Sequence, residues 1–140
     1  MDNYNNLVLM LKDSQTGFFD STVGSYEIPN HMEYIDKIYA VQEGDGYYIY
    51  LTLTTHEIEE DWKYSGLFDL YDHDVFSERI VEIEELSGDF NPKWILKIQY
   101  SENHKQIEEL LNEILNIHVE ETERIIPLIN PDDYTEETEE

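Results

Sequence analysis

Asp69, Asp72, His73 and Asp74 put three carboxylates and an imidazole within six residues, the densest run of groups able to hold a hard divalent cation. Their spacing departs from a calcium loop, where ligands alternate around a central glycine and end on a glutamate. A solvated turn is the commoner outcome in a chain this acidic. His56-Glu57 opens like the helix motif of zinc proteases, but residue 60 is Glu where the second histidine belongs. Carboxylate pairs for general acid and base work are unavoidable among 33 Asp and Glu, so their presence diagnoses nothing. There is no Gly-x-Ser-x-Gly elbow and no Gly-rich phosphate loop, and the absence of cysteine removes thiolate ligands and nucleophiles. A divalent-metal-binding module or metal-dependent enzyme built on Asp69, Asp72, His73 and Asp74 is therefore an alternative reading. The leading reading needs no cofactor and no catalytic residue.

That leading reading rests on side chains suited to contact. Tyr48 and Tyr50 share a strand face with Thr52 and Thr54, and tyrosine combines a large rigid surface with a hydroxyl, as interfaces favour. Glu109, Glu113 and Glu120 fall on one side of a helical stretch and offer carboxylates to a basic partner. The ordinary alternatives are a cross-strand ladder for the tyrosines and a solvated helix face for the glutamates. His118 lies on the apolar side of the same helix, where a packed histidine with a hydrogen-bonded ring nitrogen is expected.

The elements that must position these groups follow from hydrophobic period. Leu7 to Leu11 is a continuous apolar run and reads as a strand covered on both faces; Ser21 to Ile28 is a weaker strand. Lys37 to Gln42 and Tyr47 to Thr54 form a hairpin around Glu43-Gly44-Asp45-Gly46, with Ile49, Leu51 and Leu53 facing the core. Further strands are expected at Tyr64 to Tyr71, at Arg79 to Leu86 and around Trp94, Leu96 and Ile98, with Asp72-His73-Asp74 a turn. From Ser101 the period becomes 3.6, with Asn103 as N-cap and Ile107, Leu110, Leu111, Ile114 and His118 as the buried stripe. Continuing that register buries Glu121, which predicts a kink or break near His118. The fold class is α+β: an antiparallel meander of about six or seven strands with a C-terminal helix packed on one face. Residues 1–130 form one domain and 131–140 a disordered acidic tail.

Charge narrows function further. The chain carries −25 over 140 residues; removing the six acids of the last ten leaves 27 acids against eight bases, or −19, on the folded body. Fifteen Ile, eleven Tyr, nine Asn and a single Ala suggest an AT-rich gene of the kind found in low-GC bacteria and their phages. Such coding favours Lys, yet there are only six. Direct binding to nucleic acid or to anionic lipid is disfavoured, and encounter with a basic protein is accelerated. The chain carries about one net charge per ~300 Å² of surface against one per ~110 Å² on duplex DNA, so imitation of DNA requires the carboxylates to be concentrated on one face. With no long apolar run and no basic, apolar leader, a cytoplasmic protein is expected. The sequence reading is a non-enzymatic acidic protein-binding domain, in one concrete form an inhibitor or immunity-type protein against a basic nucleic-acid-binding partner. A homo-oligomeric structural protein is the third reading.

Overall fold

The computed structural model describes residues 6–13, 15–86 and 91–133. Six strands form one mixed sheet in the order β2-β1-β3-β4-β6-β5. They are β1 (Asn6–Lys12), β2 (Phe19–Glu27), β3 (Ile35–Glu43), β4 (Gly46–Leu53), β5 (Glu82–Leu86) and β6 (Lys93–Gln99). The β3–β4 hairpin forms where the sequence places it, with Gly44 at φ 63° taking the left-handed conformation its tight turn requires. All neighbouring pairs are antiparallel except β1 and β3, which run parallel. The expected pure meander is thus corrected. β2 folds back on β1 toward the sheet edge, and the chain returns through a 3-10 turn at Met32–Tyr34 to enter on β1's other side.

One face of the sheet is covered. Leu9, Ile49, Leu51, Leu53, Leu96 and Ile98 point to the same side and are fully buried. Over them lies α2 (His104–Ile125), contributing Ile107, Leu111, Ile114 and Leu115; each such side chain contributes about 1.5–3 kcal/mol of burial. The Asn103 Oδ1 accepts the Gln106 N–H at 3.1 Å, the cap the sequence predicts. β1 is covered on one face only, contrary to the two-sided burial expected of it: Leu7 and Leu9 are buried but Val8 is exposed.

Two helical segments depart from expectation. Residues 64–71 are not a strand: α1 runs Asp61–Leu70 and is followed by a 3-10 segment at His73–Arg79. Gly66 on α1 lies so close to Ile129 that an added Cβ would stand 2.8 Å from its Cγ1, so this helix docks backbone-first against the chain after α2. Nor does α2 break at His118; it continues to Ile125. Glu121 is buried as its register demands, at 4% exposure, and tolerates burial because it is fully partnered. It accepts the Asp72 backbone N–H at 2.9 Å and two bonds from Arg124, Nη2 at 2.6 Å and Nε at 3.0 Å. Thr122, next to it, donates its hydroxyl to the Val119 carbonyl at 2.9 Å. Ile125 docks in the core, whereas Ile126, which its apolar character would also send inward, is exposed and begins the 3-10 turn Ile126–Leu128. Pro131–Asp133 forms another such turn, and the rest of the expected acidic tail, 134–140, lies outside the described residues.

Candidate functional site

The sequence candidates separate onto three parts of the molecule. Tyr48 and Tyr50 alternate with the buried Ile49 and Leu51, so they project from the face of the sheet that α2 does not cover. There Tyr50 stacks on Tyr39 with ring centroids 5.8 Å apart, and Tyr39 meets Phe19 at 6.4 Å. The Lys97 ammonium lies 4.4 Å from the Tyr48 ring centre and 2.9 Å from the Glu43 carboxylate; the Tyr50 hydroxyl donates to that same carboxylate at 2.5 Å. The Tyr50 hydroxyl bond, followed by the Lys97 ammonium, holds the Glu43 carboxyl below its ordinary range. Donating that bond to Glu43 in turn pushes the Tyr50 hydroxyl up. Lys12 sits 4.6 Å above Tyr39, and Lys93 reaches Asp36 at 3.3 Å. With Lys37, which shares the face of Tyr39 by alternation, four of the chain's six lysines stand on this one face.

Glu109, Glu113 and Glu120 lie on the opposite side of the molecule, exposed on α2. Glu113 is paired with Arg79 at 3.1 Å; Glu109 and Glu120 have no ion-pair partner among the described residues. Beside them is a groove of ≈ 480 Å³ lined by Glu27, Glu108, Glu109 and Glu113 with Asn112 and Asn116. It is braced by the Asn112 amide, which donates to the carbonyls of Glu27 at 3.1 Å and Glu108 at 2.8 Å, and by the Glu108 carboxylate accepting the Glu27 N–H at 2.6 Å. The acids and the tyrosines therefore do not form one patch.

Asp69, Asp72, His73 and Asp74 are spread from the last turn of α1 into the following 3-10 segment. The Asp72 carboxylate caps the Asp74 N–H at 3.0 Å, and His73 Nε2 lies 3.4 Å from Glu85. Among the described residues no three His, Asp or Glu side chains converge as metal ligands. Ser77 has an unusual backbone, φ 53° and ψ −129°, but its hydroxyl bonds to no histidine or carboxylate among the described residues, so nothing there activates it as a nucleophile.

A buried polar centre escapes the sequence. His118 Nε2 lies 2.8 Å from the Thr54 carbonyl, which can only accept, so the ring carries its proton there. Nδ1 then accepts the Tyr71 hydroxyl at 2.7 Å. Burial is the main cause that pushes this imidazole down to about 4, so it is neutral throughout the physiological range. Tyr71 stacks on Trp94 at 4.5 Å, and the Trp94 indole N–H finds no acceptor among the described residues. The grooves beside Glu109, beside Arg79 and beside Tyr39 are not lined by these groups, which tie the α1 segment to β4 and α2. The only sign of this centre in the sequence is a histidine on an apolar helix face.

The whole of this architecture falls inside residues 1–137, which match the model of a family of unknown function (DUF6762). The chain belongs to that family. No curated protein and no solved structure matches it. Among the described residues of this family member, no helix is long and apolar enough to cross a membrane.

Proposed function

We propose that the protein is a non-enzymatic binding domain whose acidic helical side receives a basic protein, in one concrete form the nucleic-acid-binding surface of a protein that it inhibits. The observation that supports this reading is the segregation of charge. Four lysines sit on the open sheet face, two of them already held by Asp36 and Glu43, whereas Glu109 and Glu120 on α2 are unpaired among the described residues and Glu109 lines a groove with Glu108 and Glu113. A long cationic side chain entering that groove would exchange water for several charge-assisted bonds.

The test is capture at low salt followed by affinity measurement with the purified partner. E109K and E120K should each weaken binding about tenfold or more, chiefly through slower association, with steep loss as salt rises. Y48A and Y50A should leave affinity within about twofold. A partner that binds E109K/E120K as tightly as the native chain would sink the proposal.

A further inference from the structure

We infer that the open face of the sheet is a self-association surface that takes a second copy of this chain, sheet against sheet. The first support is what remains uncovered. Among the described residues the large hydrophobic side chains most open to solvent include Phe18 at 74%, Phe19 at 56% and Val8 at 49%. Val8 and Phe19 stand on the β1–β2 side of this face, at the two ends of the strand pair, since Lys12 pairs with Phe19 in register and Val8 alternates with the buried Leu7 and Leu9; Phe18 immediately precedes β2. The Phe19–Tyr39–Tyr50 row continues the apolar surface across β3 to β4.

Charge selects the occupant. On this face Lys12, Lys37, Lys93 and Lys97 are set against Glu27, Asp36, Glu43, Glu82 and Glu84, a near balance in a chain of net charge −25. A basic partner gains little where the carboxylates are already matched by ammonium groups, and an acidic copy is repelled from the helical side. The balanced face is where two such copies can approach. The strand order admits a two-fold axis along the strands, which lays β1 of one copy over β6 of the other and β3 over β4. Area is sufficient: six strands about 4.8 Å apart and mostly seven to nine residues long span roughly 700–850 Å², close to the ~800 Å² per partner of a stable interface. The edges are poor alternatives. β5 presents Glu82, Glu84 and Glu85, and the β1–β2 register is interrupted at Leu9/Met10 and Leu11/Lys12.

Sedimentation velocity on the full chain over a wide concentration range decides the matter. We expect a monomer–dimer equilibrium that tightens several-fold between about 50 mM and about 500 mM salt, because salt screens the repulsion of two acidic bodies. This is the opposite sign to the basic-partner reading, so the two stand or fall separately. F19D should weaken the dimer at least tenfold while circular dichroism and the urea midpoint stay native, Phe19 being exposed; E120Q on α2 should not weaken it. A monomer at every concentration and salt overturns the inference. So does a dimer that survives F19D and Y39E together, a dimer that weakens with salt, or loss of the basic partner's binding in F19D.

Discussion

His118 allows the sharpest quantitative test of the structure. Its two ring nitrogens are both used in the neutral form, one donating to Thr54 and one accepting from Tyr71, so a second proton must displace the Tyr71 hydroxyl inside the core. In the unfolded chain the imidazole takes its proton near 6.5; folded, burial delays that to about 4. The unfolded state therefore binds the extra proton first as pH falls. The stabilisation is complete above pH 6.5, declines by about 1.4 kcal/mol per pH unit below it, and is exhausted near pH 4, about 3 kcal/mol in all. Protonation of the many carboxylates relieves self-repulsion over part of that range and raises stability, so the native profile alone mixes two effects. Comparison with H118Q separates them. Urea denaturation at pH 7, 6 and 5 should show the difference between native chain and variant shrinking by about 1.4 kcal/mol for each unit below 6.5, and the ring resonances should stay unprotonated down to about pH 5. A pH-independent difference, or a ring that titrates near 6.5 in the folded protein, refutes the argument.

Y71F removes the donor from Nδ1 while keeping the stack on Trp94, and should cost about 1–3 kcal/mol in urea denaturation while raising the His118 pKa. G66A gains up to about 1 kcal/mol of helix propensity but forces Ile129 away; the contact should win, with a net loss of about 1–3 kcal/mol and a lower thermal midpoint. At Glu121 burial works to raise the carboxyl pKa, yet the bonds from Arg124 and the Asp72 N–H outweigh it and hold the group below the usual range. Its contribution is therefore present above pH 4.5 and lost as pH falls through the lower folded value. E121L should lower the urea midpoint at pH 7 by more than R124L does, because it also orphans the Asp72 N–H.

The parts of the fold legible in the sequence are those with a clean period. Tyr47 to Leu53 alternates strictly, and Ile107 to His118 follows a 3.6 repeat behind an Asn cap. The structure keeps both, down to the facing of Ile49, Leu51 and Leu53. α1 was not legible because Tyr64, Gly66, Phe68 and Leu70 alternate as a strand would, and a helix that buries only Gly66 and Leu67 fully has almost no stripe to read. The parallel β1–β3 pair depends on where the chain re-enters after β2, which no local pattern records. The unbroken α2 needed Asp72, 49 residues distant, to satisfy Glu121. At the candidate site the residue types were readable but their grouping was not. Tyr48, Tyr50 and Glu109 could be assigned to faces of their own elements, but which sheet face α2 covers follows only from the assembled core.

The position of α2 in the chain has a consequence during synthesis. The part of the apolar face carried by Leu9, Ile49, Leu51 and Leu53 is in place once β4 has left the ribosome, but its cover ends at Ile125, about 70 residues later. At ~5–20 residues per second, the nascent sheet waits roughly 4–14 s with its core side bare. Over that interval the chain adds Glu57, Glu59, Glu60, Asp61 and their successors next to the exposed strands. Mutual repulsion between neighbouring nascent chains then delays aggregation until the helix arrives, a use for the acidity that precedes any encounter with a partner.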